Sequence, residues 1–331
     1  MTGRYPALRV AVVGDFFLDR YLHIDPARAE TSIETGLPVH NVVEVRSQPG
    51  AAGTILNNLV ALGIGQIHAV GYCGDDGEGY ELRRALEQQP GVRLDHFITT
   101  TARRTPVYCK PLIIEPGKPP VELSRLDSKN WTPTPPDLQA DLARRVAILA
   151  RQVDVILLLE QVDLPATGVV TPPVAAAAHA AQLERPGLVV LADSRQGLGH
   201  FPPVTFKMNA AELAHMTGGV ATDVEAARDQ AATLAARNNR PVFVTLADQG
   251  MVGAQPDRPA EAVPSHPVRG EIDIVGAGDS VTANLAAALA AGATPREAMQ
   301  LAMAAASLVI HQLGTTGTAS VAQIAGLLRF A

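Results

Sequence analysis

The residues best suited to chemistry lie in Asp273-Ile274-Val275-Gly276-Ala277-Gly278-Asp279-Ser280. Two glycines let the backbone turn tightly, and the Val281–Ala290 run that follows is helix-forming. The N–H groups of Gly276, Ala277 and Gly278 would then point out of a helix N-terminus and form an anion site. Asp279 falls in the first turn, where the helix dipole would keep a carboxylate ionised. A carboxylate beside an anion hole is suited to taking a proton from a hydroxyl as it attacks a phosphoryl group. The blander alternative is a glycine turn with Asp as an ordinary helix-start residue, and this stretch alone leaves both open.

Competing motifs fail. Gly117-Lys118 is followed by proline, so there is no P-loop. Gly276-x-Gly278 could begin a dinucleotide fingerprint, but Val281 occupies the third glycine position and the motif lies near the C-terminus instead of after the first strand. The nine histidines are scattered without metal-ligand spacing, and Cys73 and Cys109 stand far apart, which argues against a zinc site or a disulfide framework. Asp75-Asp76-Gly77-Glu78 reads as an acidic helix start in preference to a metal site.

These residues need a scaffold, and the chain is long enough for one. Its 331 residues are 47% hydrophobic with a net charge of −6, which excludes a disordered chain and argues against a nucleic-acid partner. No run has the apolar length of a membrane span, and residues 1–6 show no signal-peptide core, so a cytoplasmic enzyme is expected. Leu8–Gly14, His68–Tyr72, Val153–Leu159, Leu188–Ala192 and Pro241–Leu246 read as buried strands. Helical segments lie between or after them at Ala51–Leu62, Gly79–Gln89, Val174–Leu183, Val224–Arg237, Ala277–Ala291, Pro295–His311 and Ser320–Leu328. The alternation predicts a mostly parallel sheet covered on both faces. Tyr21–Arg46 and Pro106–Asp127 break the rhythm, read as antiparallel strands outside that sheet, and would meet as a small β lid. Asp127–Asp137, with its three prolines, is the best linker.

The chain resembles the ribokinase-like (PfkB-type) carbohydrate kinases. Gly276-Ala277-Gly278-Asp279 matches their signature, and Asp273 stands where its opening Asp is placed. Val13-Gly14-Asp15-Phe16-Phe17-Leu18-Asp19-Arg20 resembles the first strand with its sugar-binding Asp, here Asp19, and Pro49-Gly50-Ala51-Ala52-Gly53 the second glycine motif. Asn209-Ala210-Ala211-Glu212 matches the N-x-x-E motif, and Val244–Gly250 resembles the nucleotide-binding strand and turn. Gly14-Asp15, Leu18–Tyr21, Ser124-Arg125-Leu126-Asp127 and Leu313-Gly314-Thr315 resemble the heptose-phosphate kinase branch of ADP-heptose synthesis.

The resemblance implies one three-layer α/β/α sandwich spanning residues 1–331, with the lid inserted, and ATP-dependent phosphorylation of a sugar or sugar-phosphate hydroxyl. Asp279 would be the base and Gly276, Ala277 and Gly278 the anion hole. Asn209 and Glu212 would position Mg²⁺, directly or through water, and Thr245 and Gly250 would contact ATP. Lys207 is either a nucleotide-phosphate contact or a surface lysine. Asp19, Gly50 and Thr54 would hold sugar hydroxyls. Arg103, Arg104 and Lys110 would bind a phosphate on the acceptor or simply form a charged edge. Asp273 and the backbone near Gly314 resemble a monovalent-cation site, with K⁺ as the ion, and the lid would serve as a homodimer interface. Ala51 and Thr54 replace the family's usual Gly and Asn, so the acceptor stays open: a nucleoside or vitamin alcohol, or a non-catalytic sugar-binding regulator, are the alternatives.

Overall fold

The computed structural model describes residues 2–329. β1 (Arg9–Gly14) runs into β2 (Phe16–Ile24) across a single residue; short β3 (Glu30–Thr31) and β4 (Pro38–Val39) follow, and β5 (Val42–Ala51) returns into α1 (Ala52–Ala61). Next come β6 (Gln66–Gly74), α2 (Gly77–Glu87), β7 (Val92–Arg93), β8 (Phe97–Thr100), β9 (Val107–Ile113), β10 (Val121–Glu122) and β11 (Leu126–Ser128). The chain then forms α3 (Pro136–Leu149), β12 (Val155–Glu160), α4 (Pro172–Glu184), β13 (Val189–Ser194), β14 (Thr205–Asn209), α5 (Ala210–Thr217) and α6 (Val224–Asn238). It ends with β15 (Val242–Thr245), β16 (Met251–Gln255), β17 (Arg258–Val263), α7 (Ala277–Ala290), α8 (Pro295–Val309) and α9 (Val321–Arg329).

The large sheet runs β17-β16-β15-β14-β13-β12-β1-β6-β7, with β8 also on β6. It is parallel except where β15, β16 and β17 pair antiparallel. Period-two alternation splits each central strand between two cores. Val10 and Val12 of β1 pack with α1, α2, α7, α8 and α9, whereas Ala11 and Val13 pack with α3, α4, α5 and α6. β12 divides likewise, Val155, Leu157 and Leu159 against Ile156 and Leu158. Burying each such side chain contributes roughly 1.5–3 kcal/mol, which is what makes an all-apolar strand a central one. The predicted three-layer sandwich is the observed one. α7 is buried nearly all round from Ser280 to Ala288, and its alanines let α1 and α8 approach closely.

The second sheet, β10-β9-β2-β5 with β11 on β9, is the lid. Its limits differ from the expected Tyr21–Arg46 and Pro106–Asp127. β2 starts at Phe16 and β5 continues to Ala51, so the strands carry on from the core without a hinge. β2 and β5 are antiparallel as expected, but β2 and β9 are parallel. A strand's own alternation cannot reveal its partner's direction. The expected linker is tied down: β11 still pairs with β9, and Arg103 binds the Thr132 and Pro133 carbonyls. Sequence patterning also passed over β14, β16, β17, α3 and α5, of which the strands are short and α5 has eight residues.

Candidate active site

The C-terminal ends of β1, β12, β13 and β14 bring Asp15, Glu160, Asp193 and Asn209 to one edge of the sheet, where ligands of open parallel sheets bind. α7 starts at the same edge. Its N-cap, Gly276, has φ +83°, a conformation that penalises any residue with a Cβ. Of the three expected anion-hole groups, the Ala277 N–H donates to the Ile274 carbonyl at 3.2 Å; the Ser280 N–H donates to Gly276 at 2.9 Å, and the Gly278 and Asp279 N–H groups of the first turn lie between them.

Asp279 corrects an expectation. Its carboxyl is not held ionised by the helix; burial, and then the nearby Asp193 carboxylate, push its pKa up to about 7. Lys207 and Arg195 pull the other way, and Asp19 adds to the rise. Desolvation and a like charge outweigh the dipole, whose effect on a carboxylate is at most about 2 kcal/mol. The result is a base poised near neutrality. Lys207 is no surface lysine: it is buried in β14, its Nζ 2.9 Å from Asp193 Oδ2. The Thr282 hydroxyl, one turn beyond Asp279, lies 2.8 Å from the same oxygen. Asp193 and Arg195 were missed because they sit at a strand end and in a loop, with no motif around them.

Beside this cluster is a cleft of about 770 Å³ lined by Lys207, Asn209, Thr245, Gly250 and Gly278 on its polar side. Val268, Ile272, Ile274, Val281, Met303 and Ile310 line it elsewhere, an apolar slot suited to a flat base. Asn209 and Glu212 form a capping box on α5: Asn209 Oδ1 accepts from the Glu212 N–H and Glu212 Oε2 from the Asn209 N–H. Glu212 keeps Oε1 for other work, and burial raises its pKa. Among the described residues no three His, Cys, Asp or Glu side chains form a metal cluster. Glu212 Oε1 and the Asn209 side chain, side by side at the start of α5, are oxygen donors of the kind a magnesium ion accepts. Asp273 is partly committed to local structure, its Oδ1 accepting from the Val275 N–H at 3.0 Å.

The lid forms the facing wall. Asp19 on β2 is buried, with Oδ2 3.5 Å from Lys110 Nζ and Oδ1 without a partner. Burial raises its pKa, and Lys110, Arg125 and Arg195 oppose the rise. Gly50 is adjacent: a Cβ there would come within 2.6 Å of Asp19 Oδ1. Ala51, at the joint between β5 and α1, holds φ +53°, a strained setting for an alanine. Thr54 is buried in the first turn of α1, where its carbonyl accepts from Asn58. Tyr108 carries Arg125 over its ring at 4.4 Å, and its hydroxyl accepts from Arg195 at 3.3 Å. The expected phosphate contacts divide. Lys110 faces Asp19, but Arg103 is buried and spends its guanidinium on Thr132, Pro133 and Thr167. Arg104 is exposed, with its backbone clamped by Asn130.

Two walls, a carboxylate between them poised near neutrality and a glycine-capped helix start with outward N–H groups fit a phosphotransferase built on an α/β sandwich. The chain belongs to the pfkB family of carbohydrate kinases, whose family description matches residues 9–322. It is 32% identical over 323 residues to the bifunctional protein HldE of Gluconacetobacter diazotrophicus, covering 97% of this chain and 63% of that protein. To the bifunctional protein HldE of a Caulobacter species it is 32% identical over 315 residues, covering 92% of this chain and 60% of that one. The chain thus spans less than two thirds of these relatives. Solved structures share the fold. Arabidopsis thaliana ribokinase complexed with ribose and ATP superposes with a TM-score of 0.68 at 20% identity, over 98% of this chain and 99% of that one. Phosphofructokinase-2 of Escherichia coli in complex with fructose-6-phosphate gives 0.69 at 17%, over 98% of each. No helix among the described residues is long and apolar enough to cross a membrane.

Proposed function

We propose that this chain is one kinase unit that transfers the γ-phosphoryl group of ATP to a hydroxyl of a sugar already bearing an anionic group. The observation that carries the reading is Asp279: a carboxyl poised near neutral pH at the helix start that faces the nucleotide-sized cleft. Asp279 takes the acceptor proton, the Gly278 and Asp279 N–H groups receive the charge on the moving phosphoryl, and Lys207 and Arg195 neutralise the rest. When bound with ATP, Mg²⁺ would neutralise phosphate oxygens, with Asn209 and Glu212 at its outer shell; Asp273 would hold K⁺. Thr245 and Gly250 flank the nucleotide.

On the acceptor side Asp19 holds sugar hydroxyls through its unpartnered oxygen, with Gly50 and Thr54 beside it. Lys110 pairs with Asp19 and Arg125 with Asp127, whereas Arg195 bonds the Tyr108 hydroxyl and no carboxylate among the described residues, which supports an acceptor that carries an anionic group for it to meet. The resemblance to heptose-phosphate kinases points the same way. Val43, Val45, Val121 and Leu126 leave an apolar outer face on the lid, which supports pairing of two lids in a homodimer.

The test is ADP release with ATP and Mg²⁺ against free sugars and sugar phosphates, heptose 7-phosphate included, with Asp279→Asn as the blank. A phosphorylated acceptor whose turnover vanishes in the variant is the expected result. Turnover that survives Asp279→Asn removes the base; silence across the panel with ATP still bound favours a sugar-binding regulator.

A further inference from the structure

We propose that Asp193 is a positioning residue of this reaction: one carboxylate of β13 locks Lys207 on β14 and the first turn of α7 into one frame around Asp279. The inference rests on the kinase reading above.

Asp193 ends β13 and is buried, yet one of its oxygens serves two elements at once. Oδ2 accepts from Lys207 Nζ on β14 at 2.9 Å and from the Thr282 hydroxyl on α7 at 2.8 Å. The Thr282 hydroxyl is also 3.1 Å from the Gly278 carbonyl, within the anion turn itself. A single carboxylate therefore sets the distance between the cation and the base. Lys207 has three N–H donors, and this contact uses one, leaving two for phosphate oxygens.

Lys207 Nζ lies beside the anion turn, 3.4 Å from where a Cβ on Gly278 would stand, and Asp193 holds it there at 2.9 Å. The charge matters as much as the geometry. The charged groups facing Asp279 are Asp193 from β13, Arg195 just after it, Lys207 from β14 and Asp19 from β2. Asp193 is the larger of the two anionic neighbours, so its removal makes Asp279 more acidic.

The experiment compares wild type, Asp193→Asn and Asp193→Glu as full chains. In wild type, kcat/KM falls as pH drops through about 7, where Asp279 takes up its proton. In Asp193→Asn that acidic limb moves down by about one pH unit or more, kcat falls at least tenfold, and KM for the acceptor is little changed. Asp193→Glu restores the limb. A second readout needs no turnover: urea denaturation of the ligand-free protein across pH. Wild type loses stability as pH rises towards 7, and Asp193→Asn shifts that loss to lower pH. An unmoved limb and an unmoved stability curve would overturn the proposal, since the frame would then not close around Asp279. If wild type phosphorylates nothing in the panel while the stability curve still shifts, the kinase reading fails and the electrostatic link stands. Should Asp193→Asn not fold, Thr282→Val tests the clamp alone: kcat drops several-fold with the limb in place, and undiminished kcat overturns it.

Discussion

Replacing Asp279 by Asn should abolish turnover and, at alkaline pH, make the protein more stable. The carboxyl's pKa rises from 3.8 in a solvated chain to about 7 in the fold. Because the folded state holds this proton more tightly than the unfolded one, stability falls as pH climbs from about 4 to about 7 and stays low above that. A rise of about three units at roughly 1.4 kcal/mol each gives about 4 kcal/mol. The cleft leaves the side chain partly accessible, so solvent screening brings the expected gain down to about 2–4 kcal/mol. Asn has nearly the same shape and no charge, so its gain should appear at pH 8 and vanish near pH 4. Asp15, whose pKa burial raises to about 6, bends both curves alike and cancels in the difference. Urea denaturation followed by circular dichroism at pH 4.5, 6 and 8 measures it. Equal stability of the two proteins at pH 8, or a gain of the same size at every pH, would refute the reasoning. The first would mean that Asp279 is comfortably ionised; the second would mean that Asn acts through packing.

Two further substitutions probe the acceptor wall. Gly50→Ala places a methyl 2.6 Å from Asp19 Oδ1 and must displace that carboxylate, so acceptor KM should rise at least tenfold while calorimetry shows unchanged ATP binding. Ala51→Gly relieves a φ of +53°, strain of about 1–3 kcal/mol, at a backbone-entropy cost of about 0.5–1 kcal/mol. The net gain is about 1 kcal/mol, read as a higher denaturation midpoint; a lower midpoint would show that Ala51 is not strained.

How much of this was legible in the sequence depended on whether a feature is local. Gly276 to Asp279 could be read because a glycine turn, a helix start and an acid follow one another along the chain. The core strands could be read because burial on both faces leaves unbroken apolar runs, as in Val155–Leu159. Asp193 and Thr282 could not, because they meet Lys207 only when β13, β14 and α7 converge, and each alone looks ordinary. Lys207 stayed open between a phosphate contact and a surface lysine because patterning cannot show that a charge inside a five-residue strand is buried. The ionisation of Asp279 went astray for the same reason: the dipole is visible in one turn of helix, whereas the opposing desolvation and the Asp193 charge arrive from elsewhere. Arg103 was assigned by its sign, although its carbonyl partners lie 29 to 64 residues away.

The order of the two walls along the chain bears on how such a protein diversifies. Asp19, Gly50, Lys110 and Arg125 all precede α3, whereas Asp193, Lys207, Asn209, Thr245 and Asp279 all follow α4. Selection can therefore rework the first half for a new acceptor while the second half is inherited intact, and a recombination between relatives near α4 would exchange one wall whole. Arg195 is one place where the halves must remain compatible, since it belongs to the second and bonds Tyr108 of the first; Gln48, which donates to the Thr316 hydroxyl, is another. The departures at Ala51 and Thr54 both fall in the first half.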